Sequence, residues 1–338
     1  MRVLFIGGTG NISAACSRLA LERGIELHVL NRGNRDLGEY GMDAAGSIVC
    51  NINDEADAAR ALEGQTFDSV VNFIAFTPED IERDIRLFAG KTGQYIFISS
   101  ASVYQKPLAQ PFVTESTPLC NPFWDYSRKK IASEERLNRE YRDNGFPGVI
   151  VRPSLTYDTV IPLAIGSWDD YTMADRMKKG KPVIVHGDGT SLWTITHSRD
   201  FARGLVGLLG HQQAFGNAFH ITSDEVLTWD QIYQAVADAV GVEANIVHIA
   251  SDFIVKVAKE MGQGWMEGNL HGDKAISAIF DNSKIKRFVP DFTATTSFKQ
   301  GIAETLRWFE AKPERMKIVD GNNAFIDKVL AAYGEIAG

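Results

Sequence analysis

A doubly wound parallel α/β sheet is the fold class this sequence predicts, and three observations predict it. The apolar run Arg2-Val3-Leu4-Phe5-Ile6 leads directly into Gly7-Gly8-Thr9-Gly10-Asn11-Ile12-Ser13 and then into a helical pattern. Short apolar runs recur at 26–30, 47–50, 68–76 and 94–98, with helical or turn patterns between them. Continuous rather than alternating apolar runs suit parallel strands covered on both faces, and strand-helix alternation at this spacing winds the chain into one sheet. Past Pro153 the regular alternation is lost. Residues 1–160 are therefore expected to form the core of the fold and 161–338 a smaller part, with 196–222 returning to the sheet.

Composition narrows the function classes. The chain has 338 residues, 44% hydrophobic and 23% charged, enough for one large or two ordinary domains. Its net charge of -8 speaks against nucleic acid as the main partner, because phosphate binding draws on concentrated Lys and Arg. Cys16, Cys50 and Cys120 are scattered, which predicts reduced, buried thiols. No basic stretch followed by an apolar one precedes the first strand, so a cytoplasmic protein is expected. No apolar run approaches the roughly 20 residues that span a bilayer, so no membrane partner is expected. The seven histidines form neither H-x-H nor H-E-x-x-H, and no metal is expected.

The glycine turn is the first site. Glycines let the chain fold tightly and let a pyrophosphate approach the backbone, where a helix N-terminus favours negative charge. Gly7, Thr9, Gly10, Asn11 and Ile12 thus read as a dinucleotide site. Ser13 stands where a third Gly is usual, and is small enough to keep helix and strand close. Ile12, Cys16, Leu19 and Ala20 mark one side of the helix, which ends at Gly24. The second strand, 26–30, delivers Asn31 about 20 residues after the glycines, where the adenosine ribose is read. With Arg32 and Arg35 beside it and no acid in that place, NADP is favoured, with NAD as the alternative; Asp36 is a rival ligand for a ribose hydroxyl. The third strand, 47–50, puts Asn51 and Ile52 at the adenine, and Asp54 caps the next helix. The fourth strand, 68–76, brings Ile74 and Ala75 to the cofactor, and Thr77-Pro78-Glu79-Asp80 opens a helix with a cap, Pro at its first position and acids in its first turn. The fifth strand, 94–98, runs into Ser99-Ser100-Ala101-Ser102-Val103-Tyr104.

Trp124-Asp125-Tyr126-Ser127-Arg128-Lys129-Lys130 opens a long helix. At about 3.6 residues per turn, Tyr126, Lys130, Ser133, Leu137 and Tyr141 share the buried or cleft-facing side, with Arg128, Arg136, Arg139 and Arg142 opposite. A phenol ordinarily titrates near about 10, and an ammonium one turn away on the same face is expected to lower it.

Together the turn 7–13, the segment 99–104, the Tyr126/Lys130 pair, the strand Val149-Ile150-Val151-Arg152-Pro153 and the later His186-Gly187-Asp188-Gly189-Thr190 resemble, in order and over nearly the whole chain, the extended short-chain dehydrogenase/reductases, the nucleotide-sugar epimerases and dehydratases. The resemblance implies a Rossmann-type core, a smaller C-terminal substrate-binding part, and a catalytic Ser-Tyr-Lys set falling on Ser100, Tyr126 and Lys130. Ser100 is implied to hydrogen-bond the substrate oxygen, Tyr126 to exchange its proton, and Lys130 to hold the cofactor ribose and depress the Tyr; Pro153 is implied to line the cofactor. Family members often pair into homodimers through two long helices, including the one that carries Tyr126. Two departures stand out. The Asp-Glu pair of the dehydratases is Ala101 and Ser102 here, against elimination by that mechanism, with Ser102 left as a candidate for the substrate oxygen. An Arg that grips a sugar nucleotide's pyrophosphate corresponds to Trp193, and an indole cannot clamp an anion; Trp193 is a candidate for stacking on a sugar ring or for the core. Other relatives, including chloroplast stem-loop RNA-binding proteins, share the glycine turn and length yet bind RNA or sense NADP, which leaves a binding protein as the alternative function.

Past the first half the reading is coarser. Trp168-Asp169-Asp170-Tyr171 sits in a loop without periodicity, with Trp168 a candidate substrate contact. A strand over 181–186, a helix capped at Ser198 and running to Leu209, with His197 hydrogen-bonded in the core, a short strand at 219–221, a helix over 229–240 capped by Thr228, and a strand at 245–249 follow. Trp265, Met266, Asn269 and His271 lie in a Gly-punctuated segment positioned to close over a cleft, and Thr296 caps a helix running to Phe309.

Overall fold

Seven parallel strands form the main sheet of the computed structural model, which describes residues 1–166 and 168–337. They are β1 (Arg2–Ile6), β2 (Glu26–Asn31), β3 (Gly46–Val49), β4 (Ser69–Asn72), β5 (Tyr95–Ile98), β6 (Gly148–Pro153) and β7 (Ala218–Ile221). Their spatial order is β7-β6-β5-β4-β1-β2-β3, with Ile6 level with Leu30 on one side and Asn72 on the other. The chain starts in the middle, builds outward through β2 and β3, then crosses back to β4 beside β1. The carboxyl ends of β1 and β4 are thus the switch point where a crevice opens.

Alternation along each strand fills both faces. Val3, Phe5, Val29, Val71 and Ile96 pack with α1 (Ser13–Glu22) and with α6 (Ser198–Leu208), the helix that follows α5 (Thr172–Lys178), through Ala15, Cys16, Phe201 and Leu205. Leu4, Ile6, Leu30, Val70 and Phe97 pack on the other face with α2 (Glu55–Ala61), α3 (Pro78–Phe88) and α4 (Asp125–Asn144), through Ala58, Ile81, Ile85 and Leu137. The return of 218–221 to the sheet beside β6 brings α6 against α1. A separate core over the C-terminal residues gathers around Trp193, Trp229, Tyr233 and Phe309.

Several boundaries differ from the expectation, each for a local reason. The fourth strand stops at Asn72 rather than at 76, because the Asn72 side chain accepts from Ile74 N at 2.8 Å and donates to buried Asp84 at 2.5 Å, turning 73–76 out to the cleft edge. α6 is capped by His197, whose Nδ1 accepts from Arg199 N at 3.1 Å, not by Ser198. The Ser198 hydroxyl instead lies 2.9 Å from the Asn11 carbonyl and 3.0 Å from that of Tyr157, tying α6 to the glycine turn. Helix Phe298–Glu310 is capped by Ser297 rather than Thr296, whose N–H is taken by buried Asp200 at 2.8 Å. A long final helix, Asp320–Ala337, lies beyond the expected elements. Tyr141 is 38% exposed although it shares a wheel face with Leu137; Cys120 is exposed, unlike Cys16 and Cys50. Among the described residues no helix is long and apolar enough to cross a membrane.

One buried ion pair fastens α4 to the sheet. Glu134 accepts from Arg152 Nε at 3.0 Å and Nη2 at 2.5 Å, and also from the Ser99 hydroxyl at 2.5 Å. Both charges are almost entirely removed from water. Glu134→Ala leaves the guanidinium buried and unpaired, and is expected to cost about 3–5 kcal/mol of stability. Urea denaturation checks it; a loss below about 1 kcal/mol contradicts it.

Candidate active site

At the switch point lies a cleft of about 820 Å³, lined at one end by Gly7, Gly10, Asn11 and Ile12 and along its side by Ile74, Ser100, Tyr126, Lys130 and Pro153. Gly7 sits at φ +83°, and a Cβ there would come within 2.6 Å of Ile74 Cγ2, so only glycine lets the turn close against the end of β4. Ser13 does more than stay small. Its hydroxyl donates to the Gly7 carbonyl at 2.6 Å and accepts from Gly10 N at 2.8 Å, stitching the turn across its mouth.

The turn fits a dinucleotide. The main-chain N–H groups of Asn11 and Ile12, at the start of α1, donate to nothing among the described residues. Asn11 Nδ2 is held by the Thr156 carbonyl at 2.9 Å, while its Oδ1 is buried without a partner. Such unspent donors at a helix N-terminus favour a phosphate group.

The other expected cofactor residues scatter. Asn31 ends β2, its Oδ1 accepting from Gly33 N at 2.8 Å and its buried Nδ2 unpartnered. Arg32 is exposed beside it. Arg35 donates to the Thr9 carbonyl at 2.7 Å, and both line a second cavity of about 700 Å³ on the outer side of the turn. Asp36 is occupied at Gly38 N, 3.0 Å away. Asn51 and Ile52 line neither cavity: Asn51 turns back onto Asn53 N, and Ile52 is 3% exposed in the core. Ala75 contributes its carbonyl rather than its side chain.

That carbonyl receives Lys130. The Lys130 ammonium, buried under α4, donates to Ala75 O at 2.6 Å and Ile98 O at 2.8 Å, with the rings of Phe76 and Phe97 at 4.6 and 4.7 Å. Burial pushes it down to about 7, although Glu134 and Asp80 pull it back up. Tyr126 stands one turn earlier, its ring centroid 5.8 Å from Lys130 Nζ. The expected lowering of this phenol is not found. Burial pushes it up to about 12, an interaction with the Ser100 hydroxyl offsets part, and Asp273 adds to the rise. Desolvation outweighs a cation already engaged by two carbonyls.

Ser100 lies two residues past the end of β5, at the start of the turn Ala101–Val103, and is fed by neighbours that sequence reading missed or ranked low. Ser127 donates to the Ser102 hydroxyl at 2.8 Å, and Ser102 and Ser100 hydroxyls are 2.9 Å apart. Ser100 Oγ also accepts from Ser102 N at 3.2 Å; each hydroxyl carries one proton, so when Ser102 gives its proton to Ser100, the Ser100 proton is left for the cleft.

The far end of the cleft is built from Trp124, Trp168, Trp265, Asn269, Asp273 and Lys274. Trp168 is 36% exposed at this end. Trp193 is not there: it is 2% exposed, packed on Trp229 with centroids 5.7 Å apart, and serves the core. Met266 is likewise core, and His271 turns away to Asp252 at 3.0 Å, whereas Trp265 and Asn269 reach the cleft. Asp273 and Lys274 had no sequence signal, because a π-helical turn over Leu270–Lys274 sets their direction.

With this geometry in hand, comparison with known proteins identifies the class. The NAD dependent epimerase/dehydratase family matches residues 3–221, and the chain belongs to that family. The 2'-dehydrokanamycin reductase of Streptomyces kanamyceticus is 26% identical over 255 residues, 75% of this chain and 70% of that protein. The chloroplast stem-loop binding protein of 41 kDa b of Arabidopsis thaliana is 26% identical over 259 residues, 73% of this chain and 65% of that one. Among solved structures, the epimerase Mth375 of Methanothermobacter thermautotrophicus superposes with a TM-score of 0.74 at 18% identity, covering 93% of this chain and 94% of that one. A UDP-glucuronic acid 4-epimerase of Bacillus cereus, solved with UDP-glucuronic acid and NAD, superposes at 0.70 and 16% identity, covering 91% and 99%.

The depressed lysine makes stability depend on pH. Free lysine holds its proton to near 10.5. Between about pH 7 and about pH 10 the unfolded chain therefore binds more protons than the folded one, and stability rises with pH; below about 7 the penalty is constant. Without added nucleotide, the protein is expected to gain stability from about pH 7 to about pH 9 relative to Lys130→Met. Denaturant titrations at the two pH values check this, and parallel slopes contradict it.

Proposed function

We propose that the protein is an NADP-dependent oxidoreductase or epimerase acting at a secondary alcohol, or the corresponding ketone, of a sugar or sugar derivative, with Ser100, Tyr126 and Lys130 as its catalytic set. One observation carries the reading: the three side chains line one side of a cleft that ends at the unspent amides of the glycine turn. A bound nicotinamide dinucleotide supplies or accepts the hydride. The residues of the chain handle everything else. Asn11 and Ile12 amides hold the diphosphate, and Asn31 and Arg32 meet the adenosine ribose and its 2′-phosphate. Ser100 donates to the substrate oxygen. Tyr126 Oη gives its proton to that oxygen as a ketone is reduced and takes it back in oxidation. Burial holds the phenol protonated at neutral pH, so in the reductive direction it starts as the proton donor. The Lys130 ammonium favours the phenolate once it forms.

The relative named as a reductase and the neighbours named as sugar-nucleotide epimerases support hydride chemistry on sugars. Elimination by an Asp-Glu pair is not part of the proposal, since Ala101 and Ser102 hold those positions. The gathered Ser-Tyr-Lys set and the net charge of -8 favour an enzyme over an RNA-binding relative. A homodimer through α3 and α4 would be held by charges, since Glu79, Glu82, Arg86, Arg128, Lys129 and Arg139 face outward there.

Tyr126→Phe is expected to lower kcat by at least about a hundredfold while NADPH still binds. Loss of reduced-nicotinamide absorbance with a panel of keto-sugars measures it, and full activity in the variant removes the mechanism. Arg32→Ala is expected to weaken NADPH about tenfold and leave NADH unchanged. Fluorescence titration of both cofactors reads this, and equal loss for the two overturns the NADP assignment.

A further inference from the structure

The substrate end of the cleft has an unusual charge arrangement. Among the described residues lining the cleft, the only cationic side chains are Lys130 and Lys274. Lys130 is engaged by two carbonyls. Lys274 is 2% exposed, donates to Asn269 Oδ1 at 2.8 Å and Asp273 Oδ2 at 3.3 Å, and lies 5.9 and 5.5 Å from the rings of Trp124 and Trp168. Two carboxylates, Asp169 and Asp273, line the same end. No arginine is present to fork a phosphate, and a diphosphate there would meet carboxylates before any uncommitted cation.

Asp273 itself is well supported. Its Oδ2 faces Lys274, while its Oδ1 accepts from no group among the described residues. The turn that carries it is pinned from behind: Trp229 Nε1 donates to the Lys274 carbonyl at 3.0 Å, and His186 Nε2 lies 3.0 Å from the same oxygen. Since that carbonyl can only accept, His186 is protonated on Nε2, and its buried Nδ1 has no partner. A rigid acceptor beside the half-buried indole of Trp124 and the exposed one of Trp168 suits a ligand with one apolar face and polar donors at its rim, as a sugar ring has.

We propose that this end takes a phosphate-free sugar ring, packed against the Trp124 and Trp168 indoles and oriented by Asp273, which accepts a hydrogen bond from a ring hydroxyl or ammonium. The inference rests on the hydride-transfer reading above and names the substrate class for the same site. Asp273 determines specificity, and Lys274 positions it.

Tryptophan fluorescence reads binding directly, because three indoles line this end. The purified full-length protein, saturated with NADPH, is titrated with D-glucose, D-glucosamine, myo-inositol and UDP-glucose. A saturable response to at least one of the three phosphate-free rings, with none to UDP-glucose over the same range, is expected. Glucosamine against glucose tells whether the donor is ammonium or hydroxyl. Asp273→Asn, which keeps the shape, is expected to weaken that response roughly tenfold, with NADPH affinity unchanged. A response to UDP-glucose alone, no response to any of the three rings, or unchanged affinity in Asp273→Asn overturns the inference. Failure of the unaltered protein to bind NADPH overturns instead the reading beneath it.

Discussion

The grip of the Lys130 ammonium on the carbonyls of Ala75 and Ile98 joins three separate pieces of the chain: the fourth helix, the segment that leaves β4, and the end of β5. With the Glu134–Arg152 pair and the Ser127–Ser102 bond, it sets Tyr126 over the switch point near where Ser100 emerges. A buried ammonium is costly, and the structure meets that cost with two oxygen acceptors, two aromatic rings and the negative charge of Glu134 one turn further on. The result is a cation poised near neutrality beside a phenol held well above it. That ordering is opposite to what proximity alone suggests, because burial disfavours the charged form of each group, the ammonium of Lys130 and the phenolate of Tyr126.

The glycine turn is built with the same economy. Ser13 closes it, Ser198 anchors it from α6, and Asn11 reaches across to the strand Leu155–Tyr157, so that the amides of Asn11 and Ile12 are left over by construction. The sheet order explains why these pieces meet: only at the divergence of β1 and β4 does a loop from one half of the sheet face a loop from the other.

Much of this was legible in the residues, and the failures are instructive. The first strand, its turn and its helix are written in adjacent residues, and the capping box Thr77/Asp80 is a local string, so both were readable. Tyr126 and Lys130 were readable because helical spacing converts four positions into one face. The end of β4 was not, since the apolar run continues past Asn72 and only a side-chain contact with Asp84, twelve residues on, turns the chain. Trp193 misled because correspondence with a family position carries no information on burial. Asp273 and Lys274 were invisible because a single π-helical turn, held by His186 and Trp229 from distant parts of the chain, aims them. The final helix had its signal in Phe325, Ile326 and Val329, all buried, and that spacing went unread.

The central claim is that the cleft holds a nicotinamide dinucleotide between the glycine turn and the Ser100/Tyr126/Lys130 wall, and a crystal structure of the protein soaked with NADPH tests it most directly. The account predicts density for the nucleotide with its diphosphate on the Asn11 and Ile12 amides and its nicotinamide beside Tyr126. Density absent from the cleft, or a nucleotide lying with its nicotinamide away from Tyr126, would contradict it.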